Sequence, residues 1–546
     1  MSVLAYAPYG ADGVIIRVEA DIRRGIPGID ITGLAEGAVR EARDRVRAAF
    51  RNSGLNFPAD RILINLAPAG MRKDGASLDL PIALAVMAAA DIAPVPPNLL
   101  VMGEVELSGR VRSARGVLAA IAAGMEEDIS GIIVPQENRA EAAILCKDAG
   151  SGRHVPIAAV ATLREAVDAL FALNDTGAFT AETAVRKEKA LESNPAETAE
   201  ADFADVRGQL LYKRALEIAA AGGHNMLVFG PPGAGKTMLA RRLQSIMAPL
   251  DTDEAVEVTR LHSLAGYFKT KPNTVINGGT ADSGACIDRL ISLPPFRSPH
   301  HSASAEGILG GGRSLRPGEI SLAHLGVLFL DEAPEFKSNV LQALREPLED
   351  RVVSIARAER VVRFPAGFQL LLAANACPCG RLGISHGYDV MPGCLCSPEE
   401  INRYWKKFGG ALLDRIELRA AVIPAGINDI SRNASGESSA DIKKRVMAAV
   451  AVQQQRSKSI RRNALIPAGK IEAFCPMNRQ TKEAFHKALS HLGLSGRAYH
   501  GILRVARTIA DLDGKEVIGS DHITEAVQHR RYGDDPYEII TLSRQY

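Results

Sequence analysis

Residues 227–237 read LVFGPPGAGKT, and this stretch decides the fold. Leu227, Val228 and Phe229 are a short buried strand, and the glycine-rich turn after them lets backbone N–H groups close around phosphates at a helix N-terminus. Within GPPGAGKT, Gly230, Gly233 and Gly235 permit the turn and Pro231, Pro232 and Ala234 complete it. Lys236 is then placed to meet the β and γ phosphates, and the Thr237 hydroxyl to ligate Mg²⁺. Such a loop requires an acidic strand end, which VLFLDE at 327–332 supplies. Asp331 is positioned for the metal, through Thr237 or water, and Glu332 to orient and deprotonate the attacking water. Either stretch alone is equally a tight turn or a capped buried strand; the pair implies ATP, Mg²⁺ and hydrolysis.

The surrounding chain is ordinary in composition. Its 546 residues are 46% hydrophobic, 23% charged and 5% aromatic, enough for roughly two to four domains. Net charge is +2, from 65 Lys+Arg against 63 Asp+Glu, so bulk electrostatics favour no nucleic-acid partner and any such binding must come from local patches. The first ten residues lack a basic start followed by an apolar core, so no secretion signal is expected. The longest apolar run, 80–95, is broken by Asp91 and too short for a bilayer. A cytoplasmic protein with no membrane partner is therefore expected, and its seven cysteines read as thiols or metal ligands rather than disulfides.

Four blocks follow from periodicity. Residues 1–173 alternate β-rich runs (VIIRVEADI, RILINLA, GIIVP) with Ala-rich helical runs, the pattern of an α/β domain. Residues 174–203 are polar and poor in apolar periodicity, and read as a linker or a short solvated helix. Residues 204–430 carry the nucleotide motifs on strands LVF, VLFL and FQLLLAA, and 431–546 show helical periodicity throughout. The fold class is thus α/β multidomain with a helical carboxy-terminal bundle.

Beyond Glu332, the strand run 368–374 leads to Asn375, an amide able to hold a water beside the γ-phosphate. Arg415 in LLDRIEL suits an arginine supplied to a neighbouring subunit's nucleotide, and Arg497 in LSGRAYHGIL one reaching from a helical lid. Taken alone, each arginine reads as well as a solvated or carboxylate-paired surface residue.

Together these residues resemble the AAA+ ATPases, in particular the magnesium-chelatase-like branch. Residues 205–243 (DVRGQLLYKRALEIAAAGGHNMLVFGPPGAGKTMLARRL) and 296–336 (FRSPHHSASAEGILGGGRSLRPGEISLAHLGVLFLDEAPEF) are very similar to the bacterial YifB/ComM family, and the likeness spans nearly the full length. The resemblance implies an AAA+ P-loop core at 204–430 and a magnesium-chelatase-type helical lid at 431–546, assembled as a hexameric ring with ATP between subunits. By motif position it makes Lys236 and Thr237 the first-site ligands, Asp331 and Glu332 the second, Asn375 the sensing amide, Arg415 the finger and Arg497 the lid sensor, with Arg504 competing for that role. Val206 and Gly208 resemble the segment that wraps the adenine. The activity implied is a DNA-directed motor, a helicase or branch-migration enzyme on single-stranded or branched DNA in recombination and natural transformation. The alternatives are a chelatase motor driving metal insertion, a protein-remodelling machine, and a nucleotide-dependent scaffold without turnover; the polymer that stimulates ATP hydrolysis separates them.

Three further features stand out. The loop 298–321 holds adjacent His300 and His301, which on a strand would face opposite sides, and Arg313 and Arg316 beside glycines 310–312; it reads as a basic tip able to follow a nucleic-acid backbone, or as a solvated hairpin or subunit contact. Cys377 and Cys379 (CPC) with Cys394 and Cys396 (CLC) form an insertion at 377–396 with the pattern of a closed structural Zn²⁺ site, reduced thiols in a packed loop, a disulfide or another metal being the alternatives. Cys146, Cys286 and Cys475 read as buried small apolar groups. Finally, 72–89 and 103–138 resemble the proteolytic domain of Lon-type proteases. The family's nucleophile position falls on Ser77, but its lysine position falls on Leu118, whose isobutyl group accepts no proton, so this block is expected to be inactive as a protease. Ser77 also reads as a helix N-cap with Asp79 in the first turn.

Overall fold

The computed structural model describes residues 2–34, 37–71, 73, 76–145, 155–180, 184, 202–267, 290–312, 315–357, 360–382, 394–422, 436–492 and 496–531. Most of the stretch 174–203 lies outside them, as do Cys146, Cys286 and Arg313.

The amino-terminal block is a seven-stranded mixed sheet with helices. Its strands are β1 (Ser2–Ala7), β2 (Val14–Arg23), β3 (Gly28–Thr32), β4 (Arg61–Ala67), β5 (Leu99–Val101), β6 (Gly131–Pro135) and β7 (Ile157–Val160), in the spatial order β3-β4-β2-β1-β5-β6-β7. Period-two patterning sets the faces of β2: Ile16, Val18 and Ala20 are buried while Arg17, Glu19 and Asp21 face out. Helix α1 (Gly37–Asn52) buries Val39, Ala42, Val46, Ala49 and Phe50 in the same core. Helix α2 (Asp79–Ala89) is apolar all round and buried from Asp79 to Ala88. Asp79 tolerates this because Arg45 of α1 grips it with two hydrogen bonds, of 2.7 and 2.9 Å. Burial still raises the Asp79 carboxyl above its usual range, against the opposing pull of Arg45. The N-cap of α2 is Leu78, without a side-chain cap, and Ser77 sits in the preceding 3₁₀ turn (Ala76–Leu78) rather than capping the helix as its sequence context suggested. Helices α3 (Val117–Glu126), α4 (Arg139–Leu145) and α5 (Leu163–Thr176) complete the block, the last capped by Thr162 and closed by Gly177 in the left-handed region.

The second block contains a five-stranded parallel sheet. Helix α6 (Leu210–Gly222) leads into β8 (Met226–Phe229), followed by α7 (Lys236–Ile246), α8 (Thr252–Ala265), β9 (Phe296–Arg297), β10 (Val327–Leu330), α9 (Arg345–Asp350), an antiparallel hairpin β11 (Val352–Arg357) and β12 (Arg360–Pro365), then β13 (Gln369–Ala374) and β14 (Leu418–Ala421). The order is β9-β10-β13-β8-β14. Strands β8, β10, β13 and β14 are buried at every position, as parallel strands covered on both faces must be; β8 and β10 are wholly apolar, while β13 and β14 each bury one polar residue, Gln369 and Arg419. Because all five run the same way, whatever follows β8, β10 and β13 emerges on one edge. The carboxy-terminal block is helical: α10 (Ser439–Arg456), α11 (Arg479–Leu492), α12 (Gly496–Leu512) and α13 (Ser520–Arg531). It shares a core with α6, α7 and β8 through residues such as Val446, Ile502 and Ile509.

Helix α8 joins the first two blocks. Leu264 enters the amino-terminal core beside Tyr6, Val117 and Ala120, while on the motor side Nε2 of His262 lies 3.1 Å from the Leu322 carbonyl oxygen and Ile291 N–H donates to Thr259. The Ser263 hydroxyl donates to Glu141, and Arg260 pairs with Asp12 at 2.6 Å. Glu141 is fully enclosed on α4, accepting also from Asn138 and from the backbone of Leu118 at the start of α3. Burial raises its carboxyl, with those donors pulling the other way. Hairpin β11–β12 adds a further tie, Ala11 N–H donating to the Arg363 carbonyl.

Candidate active site

The strand ends of β8, β10 and β13 bring together the residues expected to meet a triphosphate. Gly230 leaves β8 so close to β14 that a Cβ there would lie 2.2 Å from the Val422 carbonyl oxygen, which excludes any other residue. Gly235, at φ 87°, is the N-cap of α7, so the first turn of that helix opens onto the loop. The Lys236 ammonium donates to the carbonyls of Gly230 and Pro231, each at 2.8 Å, and to Oδ1 of Asn375 at 3.1 Å. Burial lowers its pKa to about 8, while Asp331 and Glu332 raise it. The Thr237 hydroxyl donates to Asp331 at 2.7 Å. Behind the loop, the Tyr212 hydroxyl donates to the Lys236 carbonyl and the Gln209 amide to that of Ala234. Lys213 fixes the Val206 and Phe203 carbonyls, and Gly208 adopts φ 67° beside them.

Glu332 follows Asp331 in the left-handed region, at φ 49°, uncommon for a non-glycine residue. Its backbone N–H donates to Asp331 Oδ1. Nδ1 of His301 lies 3.9 Å from its carboxylate, and the His300 and His301 rings are tilted by 34° with centroids 4.1 Å apart. This corrects the strand-based expectation that the two histidines diverge: they sit in a turn after β9, on one side. The same loop carries a short helix (Ala305–Leu309), a two-residue pairing of Gly310–Gly311 with Arg316–Pro317, and another short helix (Glu319–Leu322). His301 was missed as a neighbour of Glu332 because only the parallel pairing of β9 with β10 brings them together.

The donor set suits Mg²⁺ bound with a nucleotide: the Thr237 hydroxyl beside the Asp331 carboxylate offers hard oxygens at the mouth of a helix N-terminus. Neither Arg415 nor Arg497 contacts Lys236, Thr237, Asp331 or Glu332 among the described residues. Instead both close on one oxygen of Glu349 on α9, at 2.7 and 2.6 Å. Arg415 also donates to the Ala411 carbonyl, and its buried Nε has no partner. These neighbours keep the Glu349 carboxyl below its usual range, the hydrogen bond from Arg415 first among them. Arg504 is engaged elsewhere, donating to the Ile466 carbonyl and pairing with Glu417, whose carboxylate also holds fully buried His224 at 2.6 Å.

Beyond Asn375, the four clustered cysteines converge. Cys377, Cys379, Cys394 and Cys396 have all their sulfurs within 4.8 Å of one another, the closest pairs at 3.4 to 3.6 Å. A tetrahedral Zn²⁺ with bonds of ~2.3 Å sets its sulfurs ~3.8 Å apart, so four thiolates here fit the ion with shifts of a few tenths of an ångström. Gly380 in this loop lies against Pro232 of the phosphate loop, and the Trp405 indole donates to the Ala376 carbonyl. In the amino-terminal block Leu118 is fully buried, and its backbone N–H donates to Glu141. Among the described residues no helix is long and apolar enough to cross a membrane.

Comparison with known proteins agrees along the whole chain. Residues 202–429 match the family described as magnesium chelatase, subunit ChlI; residues 18–138 match subunit ChlI of Mg-chelatase; and residues 436–530 match the ChlI carboxy-terminal family. An uncharacterized protein YifB of Salmonella typhimurium is 41% identical over 532 residues, covering 96% of each chain. Competence protein ComM of Haemophilus influenzae is 37% identical over 532 residues, covering 97% of each. A Lon protease of Clostridioides difficile is 30% identical over 145 residues, 25% of this chain and 18% of that protein. Full-length identity of this order, with all three magnesium-chelatase segments in sequence, places the chain in the YifB/ComM family of magnesium-chelatase-like AAA+ proteins.

Proposed function

We propose that this protein is a ring-forming AAA+ ATPase that drives movement on DNA. The observation that carries the ATPase is the convergence of Lys236, Thr237, Asp331, Glu332 and Asn375 on one edge of the parallel sheet. Lys236 and the first turn of α7 bind and orient the triphosphate; Asn375 and Glu332 hold the attacking water, and Glu332 takes its proton. Mg²⁺ on Thr237 and Asp331 supplies neutralisation of charge on the phosphate oxygens. Arg415 and Arg497, remote from this chain's own loop and gathered on Glu349, are suited to a neighbouring subunit's nucleotide, which supports a ring, hexameric by family resemblance. Of the two candidates for lid sensor, Arg497 is favoured, since Arg504 is tied into the Glu417–His224 network.

The four-cysteine cluster is assigned to structural Zn²⁺, and the Lon-like block to a role in assembly rather than proteolysis. The DNA substrate is supported by the likeness to a competence protein, and a helicase or branch-migration activity on single-stranded or branched DNA is the reading adopted. Steady-state ATP hydrolysis with and without single-stranded, duplex and branched DNA tests it. Stimulation by DNA is expected. A protein that hydrolyses ATP but neither binds DNA at low salt nor responds to it is instead a chelatase-type or protein-remodelling motor.

A further inference from the structure

Helix α1 of the amino-terminal block carries five arginines against Glu41 and Asp44, a local concentration that the near-neutral chain does not otherwise require. Arg40, Arg43, Arg47 and Arg51 recur every three or four residues, so they stand on one face of the helix, and all four are exposed. The neighbouring face, about a quarter-turn round the helix, is locked into the core by Val39, Ala42, Val46 and Phe50. The remaining arginine, Arg45, is committed to Asp79. Arg43 has only a loose, exposed neighbour in Asp44 at 3.5 Å. Among the described residues Arg40, Arg47 and Arg51 have no hydrogen bond or carboxylate partner. A rigid helix therefore presents a row of unsatisfied guanidinium groups over about 16 Å. Beside it, Arg47 and Arg51 line a groove together with Asp44, Leu55, Asn56 and Phe57, two guanidinium groups against one carboxylate.

We infer that this face is a docking surface for the sugar-phosphate backbone of nucleic acid, a second contact outside the motor block. Guanidinium groups match phosphate in charge and in bidentate geometry, and their charge is permanent. The row is periodic, as a backbone is, and its charges match phosphates rather than base edges, so binding there is expected to be independent of sequence. The inference rests on the reading of the protein as a DNA motor, and extends it to the Lon-like block, where no nucleotide residue lies.

The test uses the full chain and an Arg40→Ala/Arg47→Ala/Arg51→Ala variant, with a fluorescein-labelled thymidine oligonucleotide and a duplex of equal length titrated over a range of salt. Three lost phosphate contacts lower the slope of log affinity against log salt by about two to three and weaken binding about tenfold or more at moderate salt. Basal ATPase is expected to stay unchanged, and an Arg→Lys version of the triple variant to keep most of the slope. Wild-type binding with an unaltered affinity and slope in the alanine variant overturns the docking surface and leaves the DNA motor standing. A wild-type protein that binds neither oligonucleotide at low salt overturns both. If polyglutamate binds in place of DNA and is lost in the variant, the face takes an acidic polypeptide and the inference is wrong.

Discussion

Burial holds the Lys236 ammonium near a pKa of about 8, although Asp331 and Glu332 pull it upward. A triphosphate binds the charged form, so affinity is expected to be flat below about pH 8; above it, binding must take up a proton and weakens by up to about tenfold per pH unit. Titration of a fluorescent ATP analogue between about pH 6.5 and about pH 9.5 reads this directly, and Lys236→Arg, charged throughout, should lose the inflection. Flat wild-type affinity across the range would contradict the shift. At the same scale, Glu332→Gln should bind ATP and lose turnover by about 10² or more, because an amide takes no proton from water. Arg415→Ala should be similarly slow, yet mixing the two variants should recover activity at sites pairing an intact Arg415 with an intact Glu332. Absence of recovery across mixing ratios counts against an arginine acting between subunits. The phosphate-loop and strand-end residues were legible in the sequence because their chemistry dictates type and spacing. Glu349 was not: it lies on a short helix with no motif, and only folding puts it beside Arg415 and Arg497.

At the scale of the element, the loop after β13 is the place where the proposed Zn²⁺ is tested. Cys377 and Cys379 follow Asn375 closely in the chain, and Gly380 rests on Pro232, so the cysteine cluster adjoins both Asn375 and the phosphate loop. About one Zn²⁺ per chain is expected by elemental analysis, lost in a Cys394→Ser/Cys396→Ser variant together with several-fold of the ATPase rate and part of the thermal stability. Metal-free wild-type protein with full activity would end the assignment. The central strands were readable from their continuous apolar runs, and α10 to α13 from helical periodicity. The loop 298–321 was less so, since glycines and histidines carry no period; the approach of His301 to Glu332 follows from the pairing of β9 with β10.

At the scale of the molecule, α8 decides how the amino-terminal block relates to the motor. Leu264, buried in the amino-terminal core, is the test: Leu264→Ala removes a side chain from a closed contact and should cost about 2–5 kcal/mol. The expected readout is a lower melting midpoint and faster proteolysis between the first two blocks, with nucleotide binding retained. An unchanged midpoint and cleavage rate would show that the contact contributes nothing. No sequence signal announced this junction, because only the fold brings Asp12, Glu141 and Tyr6 to Arg260, Ser263 and Leu264. Its consequence is mechanical. Helix α8 is embedded in both bodies and the Ala11–Arg363 hydrogen bond lies beside it, so among the described residues the two blocks share one continuous set of contacts. If the motor sheet shifts during turnover, those contacts are expected to carry the amino-terminal block with it.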